Sequence, residues 1–195
     1  MKGTVVVTGI PGTGKSTVCN LVRKFAEEDG VKVNLLNYGT ITLEILKKRG
    51  DATERDAMRK SDLSVQREVQ KEVAQVISDR IGHAEELTLI DTHMAIKTSG
   101  GYMPGMPRHV MELLAPKLFV LVEARPSEIS SRRMKDSTRR RDDATDEAVK
   151  EELLFSRFMG SACAVLTGAP VKIVMNSEGK AEEAAREILK TLGVL

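Results

Sequence analysis

Aromatic residues are scarce: the 195-residue chain has no tryptophan, two tyrosines and four phenylalanines, 3% in all. Single-strand nucleic-acid binders stack bases on aromatic platforms, so that class is disfavoured. Cysteine is nearly absent too. Cys19 and Cys163 both fall in apolar helical stretches, which fits buried thiols and not a disulfide framework, and no Cys/His spacing suggests zinc. No apolar run reaches membrane-spanning length and the N-terminus enters a strand with no leader pattern, so the expectation is a soluble, cytoplasmic protein. The net charge of +2 is too small to imply a nucleic-acid partner by itself. With 41% hydrophobic and 30% charged residues, the chain is ordinary for a globular protein and suits one domain.

What is present is a phosphate loop. Gly9-Ile10-Pro11-Gly12-Thr13-Gly14-Lys15-Ser16, followed by Thr17, fits G-x-x-x-x-G-K-[ST] position by position, between an apolar strand and an amphipathic segment. Glycines let such a loop turn its N–H groups inward, onto a phosphate at a helix N-terminus. Lys15 then neutralises the β/γ-phosphates, as a surface-facing charge, and the Ser16 hydroxyl is available to Mg²⁺.

Further along, Val18, Leu21, Val22 and Phe25 mark a helix over residues 15–29, stopped by Gly30. Residues 31–36 read as a second strand, and 40–82 as a charged helical block with a stripe of Val65, Val69, Val73, Val76, Ile77 and Ile81. A strand over 87–91 ends in Asp91, and a Gly-, Met- and Pro-rich loop spans 92–107, with Pro107 at the first position of a short helix. The apolar run 117–123 suits a strand buried on both faces, and Pro126 opens the next helix. A long helix over 145–167 stops at Gly168, before a strand at 171–175 and a last helix over 181–192. Five strands alternating with helices predict an α/β fold: a doubly wound, five-stranded parallel sheet with helices on both faces. Ligands sit at the carboxyl ends of such strands, where Gly9, Asp91, Arg125 and Asn176 all emerge.

Asp91 stands where phosphate-loop proteins hold a Walker-B carboxylate, able to hold Mg²⁺ directly or through water. Arg132 to Asp143 contains five arginines and a lysine in twelve residues, a mobile-lid candidate for triphosphate binding, with a plain charged surface or an RNA-binding patch as the other readings. A water or hydroxyl acceptor wants a base, for which His93 and Asp91 are available, so a hydrolase or sugar-type kinase stays open. A phosphate acceptor is already ionised and needs cations instead, which this chain has in number near the strand ends.

The blocks Val7-Thr8-Gly9-Ile10-Pro11-Gly12-Thr13-Gly14-Lys15-Ser16-Thr17, Asn37-Tyr38-Gly39, Arg55-Asp56-x-Met58-Arg59-Lys60, Ile90-Asp91-Thr92-His93, Gly101-Tyr102-x-Pro104-Gly105-x-Pro107 and Thr138-Arg139-x-Arg141-x-Asp143 together resemble archaeal-type adenylate kinase, from end to end of the chain. The resemblance implies reversible phosphoryl transfer between MgATP and AMP, giving two ADP. It implies one domain, with a monophosphate-binding insert over about 38–82 and a short lid over about 136–143. By position, the loop from Gly9 to Thr17 holds the ATP phosphates, and Arg132, or equally Arg133, flanks the adenine of ATP. Arg139 and Arg141 are the lid arginines, and Arg157 reaches the transferring group. Arg59, Asp91, His93 and Lys97 belong to the AMP side. A homotrimer is implied, built on central helices. Relative to bacterial adenylate kinases the lid lacks a zinc-binding cysteine set, and Asp91-Thr92-His93-Met94-Ala95-Ile96-Lys97 replaces the Asp-Gly-Phe-Pro-Arg block. The alternatives are an adenylate-kinase-like ATPase acting in RNP assembly, or a kinase for another nucleoside monophosphate.

Overall fold

The computed structural model describes residues 3–50, 62–82, 86–98, 100–135 and 145–195. Five strands, β1 (Gly3–Thr8), β2 (Val33–Asn37), β3 (Leu87–Thr92), β6 (Pro116–Glu123) and β7 (Val171–Met175), form one parallel sheet in the order β2-β3-β1-β6-β7. Between β3 and β6 lies a separate antiparallel hairpin, β4 (Ala95–Thr98) with β5 (Gly101–Pro104). The helices are α1 (Lys15–Glu28), α2 (Tyr38–Arg49), α3 (Leu63–Gly82), α4 (Arg108–Leu114), α5 (Pro126–Lys135), α6 (Asp146–Thr167) and α7 (Ala181–Thr191).

Alternation along the strands builds two cores. Val5, Val7, Leu87, Leu89, Leu118, Val120 and Val122 point to one face, against α1 and α7. Val6, Ile90, Phe119 and Leu121 point to the other, against α2, α3, α4 and α6. A strand covered on both faces has no polar side to show, which is why 117–123 reads as a continuous apolar run. Each fully buried Leu, Ile or Phe contributes roughly 1.5–3 kcal/mol relative to exposure, so the central strands anchor both cores.

Helix ends follow from local chemistry. Thr145 caps α6 by accepting from the Ala148 N–H at 3.2 Å, with Asp146 and Glu147 in the first turn, and Gly168 ends it at φ 73°. At the end of α1 the Val31 N–H bonds the Ala26 carbonyl at 2.8 Å, so Val31 closes the helix and β2 begins at Val33 instead of at residue 31. Pro107 lies one place earlier than expected, as the N-cap of α4.

Two expectations fail here. Residues 92–107 are not simply a loop: four-residue strands are too short to display a period of two, and Gly, Met and Pro obscured them. The hairpin is held from outside, by Tyr102 stacked on Phe155 of α6 with ring centroids 4.2 Å apart. In α3 the buried stripe is Gln66, Val69, Gln70, Val73, Ala74 and Ile77, while Val65 is exposed. The apolar pattern therefore ran past two glutamines that the fold turns inward.

Cys19 and Cys163 are free and buried, and burial pushes both thiols up to about 11. At pH 8 the native protein is expected to react with a disulfide reagent roughly 100-fold more slowly than free cysteine, with both thiols titrating in denaturant. Rapid labelling of the folded protein would contradict the packing of α1 and α6.

Candidate functional site

β1 ends at Thr8 and α1 begins at Lys15, so the six residues between them form the loop at the carboxyl edge of the sheet. Gly14 is the N-cap of α1 in the left-handed region, φ 76°, and a Cβ there would stand 2.5 Å from Asn176 Nδ2. The loop's carbonyls are each taken by the protein. Gly9 O accepts from His93 Nδ1 at 2.7 Å, and because a carbonyl only accepts, Nδ1 carries the proton. Ile10 O accepts from Thr13 Oγ1 at 3.0 Å, Pro11 O from Arg133 Nε at 2.8 Å, and Thr13 O from Asn176 Nδ2 at 2.7 Å. Arg132 Nη1 reaches Gly12 O and Thr13 O, both at 3.4 Å. With carbonyls bonded outward, the loop's N–H groups are left to an anion at the positive end of α1.

Lys15 is 7% exposed and pairs with Asp91 through Oδ1, so it is a buried ion-paired group and not the surface-facing charge expected. Asp91, 3% exposed, also accepts through Oδ2 from Ser16 Oγ and from Asn37 Nδ2, each at 2.8 Å. The register places Asn37, Asp91 and Val7 side by side at the strand ends, which is how residues so distant in sequence meet. Among the described residues there is no group of three His, Cys, Asp or Glu side chains able to hold a metal. The hydroxyl of Ser16 beside the Asp91 carboxylate is nevertheless a hard-oxygen pair of the kind that Mg²⁺ uses when phosphates complete its shell.

A cleft of about 660 Å³ runs across these groups. At one end it is lined by Arg132, Asn176 and the turn Ser177-Glu178-Gly179; at the other by Tyr38, Thr42, Leu43 and Leu46 of α2, Gln66, Val69 and Gln70 of α3, and Ile96 and Met103 of the hairpin. Tyr38 is held by its hydroxyl donating to Gln70 O at 2.8 Å, and burial pushes its ionisation up, so it stays a neutral donor. Gln70 Nε2 ties this wall to Pro104 O of the hairpin at 3.0 Å. Tyr38, Gln66 and Gln70 were missed as site residues, while Asn176, expected at the strand ends where ligands sit, was given no role of its own. The one signal for the glutamines was their i, i+4 spacing inside an apolar stripe, which marks polar groups on a buried face.

The structure separates the two arginine candidates. Arg132 is partly exposed at the cleft, also reaching Asn176 O at 3.1 Å and Glu178 at 3.2 Å. Arg133 is 4% exposed and locked by two hydrogen bonds donated to the Glu152 carboxylate, at 3.0 and 2.7 Å, so its work is to hold Pro11 O. His93 lines the cleft, whereas Lys97 does not. In the hairpin Ile96 pairs with Met103 and Lys97 with Tyr102, so the first pair faces the cleft and the second faces α6. Arg157 lies outside the cleft lining, paired with Glu123 at 2.9 and 2.5 Å. Arg59, Arg139, Arg141 and the lid over 136–143 lie outside the described residues.

A family model described as an AAA domain matches residues 8–150. An adenylate kinase from Saccharolobus solfataricus is 44% identical over 190 residues, covering 96% of this chain and 97% of that protein. An adenylate kinase from Thermoplasma acidophilum is 40% identical over 189 residues, covering 97% and 98%. Among solved structures, shikimate kinase from Acinetobacter baumannii in complex with shikimate superposes with a TM-score of 0.62 at 17% identity, over 98% of this chain and 93% of that one. TT1252 from Thermus thermophilus gives 0.62 at 18% identity, over 100% and 98%. At such identities the structural likeness speaks for the fold alone.

Proposed function

The chain belongs to the archaeal adenylate kinase family and is thus a nucleoside monophosphate kinase, and on that premise we propose that it transfers a phosphoryl group reversibly from MgATP to AMP, giving two ADP. One observation carries the reading: the cleft extends from the phosphate loop to a second wall of α2, α3 and the hairpin, so two nucleotides can lie end to end across Lys15. The Arg132 end takes the donor base and the Tyr38–Gln66–Gln70 end takes the acceptor nucleoside. Lys15 and Ser16 rest on Asp91 until phosphate draws them to the loop. Ser16 and Asp91 are the residues that would hold Mg²⁺, which would supply positive charge against the donor phosphates. The acceptor is an anion already, so the protein's part is to align two phosphates and offset their repulsion. Arg59, Arg139 and Arg141 are proposed for that task.

A coupled assay of ADP formation from MgATP with each nucleoside monophosphate tests this. AMP is expected as the preferred acceptor; absence of ADP with AMP, or faster turnover with another monophosphate, would overturn it. The two buried, unpaired thiols suit a reducing compartment, which supports a cytoplasmic setting, and among the described residues no helix is long and apolar enough to cross a membrane.

For the trimer, support comes from an exposed apolar face on α6, Leu154, Phe158, Val165 and Leu166, the last three 60%, 86% and 64% exposed. Leu154, Phe158 and Val165 recur at i, i+4 and i+11 on one side of the helix, with Leu166 turned about 100° away, and an exposed apolar stripe of this kind marks an interaction surface. Phe158→Glu is expected to shift the protein from oligomer to monomer in light scattering, with secondary structure retained. An unchanged mass would remove α6 from the interface.

A further inference from the structure

Asn37 ends β2 and is the register partner of Asp91 in β3. Its carboxamide is used at both ends. Nδ2 donates to Asp91 Oδ2 at 2.8 Å, while Oδ1 accepts from the N–H and the hydroxyl of Thr40, at 2.9 and 3.1 Å, as the N-cap of α2. The amide orientation is fixed twice over, since either bond alone places oxygen and nitrogen as found.

We infer that Asn37 is a positioning residue, aiming the Asp91 carboxylate and starting the acceptor wall with one side chain; this rests on the function proposed above. Asp91 Oδ2 has two donors, Ser16 and Asn37. Ser16 is shared with the nucleotide, because its hydroxyl belongs to the phosphate loop. Asn37 is the donor that the nucleotide does not call on, so it is the group that keeps the carboxylate aimed whichever way the serine turns. Its other half begins α2, whose Tyr38, Thr42 and Leu46 line the far end of the cleft. The carboxylate on the donor side and the wall on the acceptor side are therefore tied through a single amide.

Two variants separate the roles. Asn37→Ser keeps a hydroxyl that caps α2 but is too short to reach Asp91; Asn37→Ala removes both bonds. Three quantities decide: kcat against KM for MgATP and AMP, the affinity of a fluorescent ADP analogue titrated with and without Mg²⁺, and the thermal midpoint. For Asn37→Ser the expected results are a kcat about tenfold lower at little-changed KM, as loss of one charge-assisted hydrogen bond implies, and a several-fold smaller gain in analogue affinity on adding Mg²⁺. Its metal-free affinity stays close to that of the starting protein, and its thermal midpoint falls by less than that of Asn37→Ala, because the cap of α2 is kept. Asn37→Ala shows the same kinetic and metal defects with a lower midpoint. Asn37→Ser with unaltered kcat and Mg²⁺ response, or defects confined to Asn37→Ala, would reduce Asn37 to a helix cap and overturn the inference. If the starting protein fails to make ADP from AMP, the proposed function falls, while the Mg²⁺-dependent affinities still decide the role of Asn37.

Discussion

Lys15→Met is expected to lower ADP formation from MgATP and AMP by about a thousandfold, near 4 kcal/mol of transition-state stabilisation. The methyl thioether occupies the lysine stem's space, so the change removes charge more than volume. Lys15 is buried against Asp91 in the free protein, and its loss leaves that carboxylate with Ser16 and Asn37 as donors but no counter-charge. The variant should therefore also melt several degrees lower, from a cost of roughly 1–3 kcal/mol for a buried charge short of a partner. Rates are to be compared well below its melting temperature, with circular dichroism confirming the fold. Turnover within tenfold of the starting protein would remove Lys15 from the chemistry.

The largest structural effect is expected at Gly105. A Cβ there would sit 1.9 Å from the His93 carbonyl oxygen and 2.9 Å from its carbon, both backbone atoms that cannot swing aside as a side-chain tip does. The Gly105 N–H closes the neck of the hairpin on Met94 O at 2.8 Å, so the strands must separate to admit a methyl group. Gly105→Ala should cost about 4 kcal/mol, a fall in Tm of roughly 10 °C for a chain of this length, or prevent soluble expression. The displacement also reaches the phosphate loop, because His93 holds Gly9 O. Gly100→Ala is the control: the nearest atom to its Cβ is Thr98 Oγ1 at 4.0 Å, and its effect should stay within about 0.5 kcal/mol. Equal melting of the two variants would show that the neck is looser than the backbone contact implies.

Much of the fold was legible in advance for a local reason. The five sheet strands carry apolar side chains because both faces are covered, and Gly30, Gly168 and Pro126 mark helix ends by their own dihedral preferences. The hairpin was not legible, since what stabilises it is Tyr102 meeting a ring on α6, 53 residues further along, and no window along the chain contains both. The glutamines of α3 were hidden for the same reason: whether a polar residue in an apolar stripe points inward depends on what packs there.

By itself the sequence determined the strand-loop-helix unit from Gly3 to Glu28, because its glycines, its lysine and its serine are fixed relative to one another by chain geometry within one turn. It also determined the sheet class and the family, whose motifs are short and contiguous. Only the tertiary structure decided which arginine faces the cleft and which is locked beneath it. The same packing turned Ile96 inward and Lys97 outward, and tied Asn176 to a loop 163 residues away. Adjacent residues such as Arg132 and Arg133 share composition and helical context. Their roles separate through the direction in which α5 presents each one, and that direction is set by packing against α6 and the loop, which lie elsewhere in the chain.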